Sequence, residues 1–164
     1  MEAVGRAADL ETRVYLVGGT TAVLLGWRQS TIDIDFAMRP EDEAVLRVLP
    51  DIKERLQVNV ELASPLDFIP VPVGWEDRSP RISRIGRVTF HHFDPYAQVL
   101  AKLERGHARD VEDVRQMSTA GLIDATRLRR YFEEIEPQLF RFPAVDPVSF
   151  RSAVDGMFPS GEAP

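Results

Sequence analysis

The sequence contains no cysteine. A disulfide framework, a thiolate-held zinc or iron–sulfur site and a cysteine nucleophile are therefore excluded. The composition fits a reducing cytoplasm, which is the expected location. Histidine is scarce, with three residues and no His-x-x-x-His spacing, so no histidine-built metal site is expected. No apolar run approaches the roughly 18 residues that a membrane-spanning helix needs. The opening MEAVGRAADLETR lacks the apolar block of a signal peptide. Basic charge is not in excess either, since 20 Lys+Arg stand against 26 Asp+Glu for a net charge of −6. A wholly basic, nucleic-acid-coating surface is excluded, while a local basic patch is not. What remains, 44% hydrophobic and 28% charged residues over 164 positions, is the composition of a single globular domain.

Periodicity divides the chain into a strand-rich first part and a helical second part. Residues 2–11 can form a short amphipathic helix. Val14–Val17 (VYLV) is an apolar, β-branched run that stops at Gly18-Gly19, as a buried strand does. Thr20–Trp27 has the pattern of a buried helix. Ile32–Phe36 alternates strictly and so predicts a strand, with Ile32, Ile34 and Phe36 facing the core and Pro40 ending the run. Glu41–Leu49 has helical spacing, and Gln57–Leu62 alternates again. Pro65, Pro70, Pro72 and Pro80 make residues 63–80 irregular, with one short edge strand expected at 68–71. Arg81–Ile85 and Arg87–Phe90 flank Gly86 as a hairpin. Helices are expected at 95–106, 109–119 and 125–135, with a last short one starting at Asp146-Pro147 and a loose PSGEAP end. The expected fold class is α+β, a mixed sheet of four to five strands flanked by helices. Residues 1–92 would form the sheet core of a single domain, with the helices of 93–158 packed on it.

Five features carry chemistry. Gly18-Gly19-Thr20, between strand and helix, allows a sharp turn and offers backbone N–H groups to an anion such as a phosphate, although a plain turn has the same residues. Asp33 and Asp35 sit two apart on one strand and share a face. Two carboxylates that close repel each other unless a cation lies between them, which suits a hard divalent ion. A solvated strand face is the plain alternative, but aspartate disfavours strands. Glu61 shares a face with Asn59 on the following strand and could join the pair or act as a base, with Asp67 as its rival. Lys102, Arg105 and Arg109 form a helical stripe that could grip a triphosphate; alternatively Arg105 or Arg109 could answer Asp110 or Asp113 in a solvated, salt-bridged helix pair. Arg78, Arg81, Arg84 and Arg87 recur every three residues and could track a nucleic-acid backbone or pair with the acidic 41–43 segment. His91 and His92 alternate, so at most one can face a site.

Gly18-Gly19-Thr20, twelve residues, then Asp33-Ile34-Asp35 together resemble the signature of the nucleotidyltransferase superfamily typified by DNA polymerase β. Val17–Phe36, including Arg28 and Thr31, looks like the small bacterial branch with AbiEii-type and MenT-type toxins of toxin–antitoxin systems. Lys102, Arg109, Asp110 and Asp113 match that branch too. The resemblance implies a nucleotidyltransferase fold and transfer of a nucleoside monophosphate from a nucleoside triphosphate to a hydroxyl. It implies two Mg²⁺ ions held by Asp33 and Asp35. Gly18, Gly19 and Thr20 would cradle phosphates, with Arg28 and Thr31 beside the nucleotide, where the helical stripe would add Arg105. Lys102 would steady the triphosphate or leaving pyrophosphate. Glu61, or Asp110 in the toxin-like reading, would be base or third ligand. A plausible acceptor is the 3′ end of tRNA, bound through Arg78, Arg81, Arg84 and Arg87, and a cognate antitoxin would be a partner. Transfer to a small molecule or a protein, and a non-catalytic binding role, are the alternatives.

Overall fold

The structure, a computed structural model, describes residues 1–159. The loose end expected at 159–164 lies, from residue 160 on, outside the described residues. In chain order the elements are α1 (Glu2–Ala7), β1 (Thr12–Val17), α2 (Gly18–Leu24), β2 (Asp33–Arg39), α3 (Glu43–Leu56), β3 (Asn59–Leu62), β4 (Arg81–Ile85) and β5 (Val88–His92). They are followed by α4 (Pro95–Arg105), α5 (Ala108–Thr119), α6 (Ala125–Ile135) and α7 (Pro147–Met157). No helix among the described residues is long and apolar enough to cross a membrane.

The strands form one five-stranded mixed sheet in the order β3-β2-β1-β5-β4. β1 runs antiparallel to β2 and parallel to β5, β2 is parallel to β3, and β4 is antiparallel to β5. This is the expected α+β arrangement. The chain divides into two compact units, the first Met1–Ser64 with Glu76–Asp94 and the second Pro65–Trp75 with the chain from Pro95 onward.

The first unit contains the whole sheet. Strand alternation sends Val14, Leu16, Phe36, Met38, Val60, Val88 and Phe90 to one face, where Val45, Leu49 and Ile52 of α3 cover them and α1 adds Ala3 and Val4. The opposite face then carries Asp33, Asp35, Asn59 and Glu61. One buried carboxylate ties this layer together. Asp42 caps α3 through Oδ1, accepting from the Ala44 and Val45 amides at 2.9 and 3.4 Å. Its Oδ2 accepts from the Asp9 and Leu10 amides at 2.8 and 2.7 Å, fixing the loop between α1 and β1. Burial alone pushes this carboxyl up, but the four backbone N–H bonds outweigh burial and hold it below the usual carboxylate range.

The second unit is helical. Its interior includes Leu100, Leu128, Phe132, Phe150 and Val154, all nearly inaccessible, with Phe132 and Phe150 edge to face at 4.9 Å. Asp124 and Asp146 cap α6 and α7 by accepting backbone amides.

Several expectations need correction, beginning with the helix expected at 2–11, which ends at Ala7 where Ala8 turns extended. Ile32 is 69% exposed rather than in the core. β2 begins only at Asp33, so the alternation that buries Ile34 and Phe36 does not reach it. No strand forms at 68–71. Pro70 and Pro72 lack donors for a ladder, and the segment instead follows a 3-10 turn at Pro65–Asp67. α2 starts two residues earlier than expected, because Gly18 adopts φ +59 and lets the strand turn directly into the helix. α3 continues through Pro50 to Leu56, since Val45, Leu49 and Ile52 bury one stripe that compensates for the hydrogen bond lost at the proline.

Asp42→Ala would strand backbone N–H groups on two segments, and should lower unfolding free energy by about 2–4 kcal/mol in urea titrations. Because folding depresses the Asp42 pKa, its contribution is fully present above the unfolded value, about 4, and fades as pH falls through the folded one. The acid-side loss of stability should therefore be shallower in the variant than in the wild type.

Candidate functional site

The site is built where β1 turns into α2. A Cβ placed on Gly18 would lie 3.8 Å from Asp35 Oδ2, so the corner and the second aspartate are in contact range. A Cβ on Gly19 would come within 2.6 Å of Thr31 Oγ1 and 3.3 Å of Arg28 Nη1. The loop between α2 and β2 thus folds back, and its threonine and arginine fill the space that glycine leaves. Thr31 Oγ1 donates to the Asp33 carbonyl at 3.0 Å and Thr20 Oγ1 approaches the same oxygen at 3.4 Å. The sequence-predicted residues Gly18, Gly19, Thr20, Arg28, Thr31, Asp33 and Asp35 are therefore gathered in one place.

The sheet adds Glu61. The parallel register pairs Asp33 with Asn59 and Asp35 with Glu61, so all four side chains lie on the same face. Asn59 Nδ2 donates to Glu61 Oε1 at 3.0 Å and reaches Asp33 Oδ1 at 3.5 Å. A neutral amide donor between two carboxylates eases their repulsion. The sequence places Asn59 on this face without giving it a role; the i, i+2 spacing to Glu61 was the available signal. Asp33, Asn59 and Glu61 are exposed and Asp35 is half-buried.

Beneath the corner, Thr21 Oγ1 donates to the Leu16 carbonyl at 3.1 Å, and Nδ1 of buried His92 lies 3.3 Å from the same hydroxyl. Burial pushes the His92 imidazole down, favouring its neutral form. His91 instead contacts the Ser79 carbonyl at 3.0 Å. Further along the sheet face, Arg13 and Arg39 approach Glu76 at 3.6 and 4.0 Å. Sequence reasoning did not single out this cluster, because its members are distant in the chain.

The donor set at the corner is carboxylate and amide oxygen, the hard ligands that Mg²⁺ takes. Among the described residues, no three His, Cys, Asp or Glu side chains are already gathered as a metal-holding group. Asp33 and Asp35 fit an ion whose remaining ligands are water and substrate phosphate, the usual way Mg²⁺ is bound.

Asp67, Lys102, Arg105, Arg109, Asp110 and Asp113 belong to the second unit. Lys102 is buried, and its Nζ donates to Asp110 Oδ1 at 3.1 Å and Asp113 Oδ2 at 2.6 Å. Arg105 grips Asp110 through Nε and Nη2 at 2.8 and 2.7 Å. Burial pushes the Asp110 carboxyl up, but Arg105 and Lys102 outweigh it and hold it low. Two cations and two anions make this cluster neutral, and it fastens α4 to α5. Arg109 is exposed beside it, and Asp67, also exposed, ends the 3-10 turn.

The arginine strip is less uniform than its spacing suggests. Arg78 donates from Nε and Nη2 to the fully buried Asp94 at 3.0 and 2.7 Å, a structural pair rather than part of an open surface. Arg84 Nη2 reaches both Glu11 oxygens at 2.8 and 2.7 Å, not the 41–43 segment. Arg81 and Arg87 are exposed on β4 and in the hairpin turn.

The family model described as "Nucleotidyltransferase of unknown function (DUF6036)" matches residues 1–142. The chain belongs to this nucleotidyltransferase family. No curated protein and no solved structure matches it. The matched part of this nucleotidyltransferase includes both the glycine corner and the Lys102 cluster. The match supports nucleotidyl transfer at the level of the family and leaves the toxin branch unaddressed.

In this nucleotidyltransferase, Gly19→Ala should push Thr31 off the corner. We expect a loss of about 1–2 kcal/mol in unfolding free energy, partly recovered by adding Thr31→Ala, because removing Oγ1 opens the space. Urea unfolding of the single and double variants measures the coupling, and strictly additive losses would contradict the contact.

Proposed function

We propose that this protein transfers a nucleoside monophosphate from a nucleoside triphosphate to a hydroxyl acceptor, in a Mg²⁺-dependent reaction at the glycine corner. The observation that carries the reading is the shared sheet face of Asp33, Asp35 and Glu61, with Asp35 in contact range of Gly18. In this reading the N–H groups of the Gly18-Gly19 turn receive phosphate oxygens. Arg28 adds a cation and Thr20 and Thr31 hold the corner's shape. The acceptor oxygen attacks the α-phosphorus, a new P–O bond forms, the α–β bridging bond breaks and pyrophosphate leaves. Glu61 takes the hydroxyl proton, and Asn59 keeps its carboxylate oriented. Bound Mg²⁺ would neutralise phosphate charge and would be held by Asp33 and Asp35. Lys102 and Asp110 bear on this proposal as the ion-pair cluster of α4 and α5, where Lys102 would have to leave its carboxylates to touch a phosphate.

The likeness to AbiEii-type and MenT-type toxins supports tRNA 3′ ends as acceptor, and a cognate antitoxin as partner. One observation favours a second acceptor class, a small molecule or protein hydroxyl. Arg78 is committed to Asp94 and Arg84 is occupied by Glu11, which leaves a weaker basic strip than the spacing implies.

Labelled nucleoside triphosphates, Mg²⁺ and bulk tRNA, protein or small hydroxyl compounds test the reading. Wild type should label one acceptor class, and Asp33→Ala/Asp35→Ala should reduce transfer by at least about 10³-fold. Transfer that is equal in the double variant would refute the proposal. Arg81→Glu/Arg87→Glu should abolish labelling of tRNA and spare a small acceptor.

A further inference from the structure

On the side of the sheet away from the carboxylates, the first unit contains a cavity of about 440 Å³. Phe36 and Val60 form its floor, Val23 and Leu24 of α2 one wall, and Ile52 and Leu56 of α3 another. Met1, Leu24 and Leu56, at 44%, 43% and 56% exposed, lie on its solvent-open side. Its floor faces away from the carboxylates of the glycine corner, because Phe36 and Val60 alternate with Asp35 and Glu61 along their strands, while Thr20 and Thr31 border both.

Three properties define what fits. The volume lies within the range of small-molecule sites, roughly 300–1,000 Å³, and is roughly three times that of an engineered cavity of about 150 Å³ that takes up benzene. No Asp, Glu, Lys, Arg or His lines it, in a chain where 28% of residues are charged. The absence of charged side chains favours an uncharged occupant. Polar groups are confined to Thr20 and the 29–31 segment, where Gln29, Ser30 and Thr31 offer hydrogen bonds. An apolar hollow of this size forfeits packing contacts along its whole lining unless something apolar fills it.

We propose that this cavity binds a small neutral amphiphile, with a hydrocarbon or aromatic body between α2 and α3 and a hydrogen-bonding end at Gln29–Thr31. Thr20 and Thr31 line the cavity and also hold the Asp33 carbonyl. The occupant therefore touches the residues that shape the glycine corner, whatever reaction that corner performs.

The test titrates the full chain with 1-naphthol and with 1-decanol, followed by thermal unfolding and by NMR. At least one probe should bind saturably at one site, raise the unfolding midpoint with concentration and show nuclear Overhauser contacts to the Leu24, Ile52 and Leu56 methyl groups. Val23→Phe, which fills the hollow, should weaken binding at least tenfold, and Leu25→Gln, outside the lining, should leave it unchanged. If Val23→Phe does not fold, the methyl contacts in wild type decide. Three results would overturn the proposal. One is no saturable binding up to the solubility limit of either probe. Another is probe contacts elsewhere on the protein. The third is a wild-type dimer that Leu56→Gln dissociates, which would make the apolar mouth a protein interface.

Discussion

The in-register pairing of β2 with β3 is the constraint on which the site depends. A β-strand presents alternate residues to opposite faces, so a slip of one position would turn Asp33 and Asp35 into the apolar layer and expose Ile34 and Phe36. Burial of Phe36, Met38 and Val60 against α3 forbids that slip. The hydrophobic effect, acting on one face, thereby aligns the carboxylates on the other. The same register sets Asn59 beside Asp33 and Glu61 beside Asp35. The carboxylates of the proposed site are thus aligned by apolar residues on the other face of the sheet.

Burial separates the acids of this protein into two kinds. Asp42, Asp94, Asp110 and Asp113 are nearly inaccessible, and each is answered by backbone amides, by Arg78, or by Lys102 and Arg105. A buried charge without such partners would be costly, and these groups fasten segments together. Asp33 and Glu61 are exposed and share the neutral amide of Asn59. Acids left open to solvent beside a glycine corner are available to a ligand in a way that the buried ones are not. The Lys102 cluster shows the same distinction from the cationic side. Its charges cancel internally, which is the behaviour of a fastening between helices.

Much of this architecture was legible in the sequence because periodicity and punctuation are local. The IDIDF alternation, the Gly18-Gly19 break and the Asp-Pro helix starts each act within a few residues, and the corresponding elements are present. The carboxylate pair beside the corner could be anticipated for the same reason. What was not legible depends on contacts between distant segments. Whether Lys102 and Arg105 face a ligand or Asp110 and Asp113 is decided by how α5 folds back on α4. The clamp of Asp42 on Asp9 and Leu10 joins parts of the chain about thirty residues apart. Ile32 was misplaced because alternation carries no mark of where a strand begins. The regular arginine spacing concealed different surroundings, since Arg78 meets a buried aspartate while Arg81 stays exposed.

The most direct test of the account is paramagnetic broadening of backbone amides by Mn²⁺, in place of Mg²⁺, with a non-hydrolysable nucleoside triphosphate present. The account predicts broadening centred on Gly18, Gly19, Asp33, Asp35 and Glu61, and dependent on the triphosphate. Broadening centred elsewhere, or none at this corner at saturating metal and nucleotide, would contradict it.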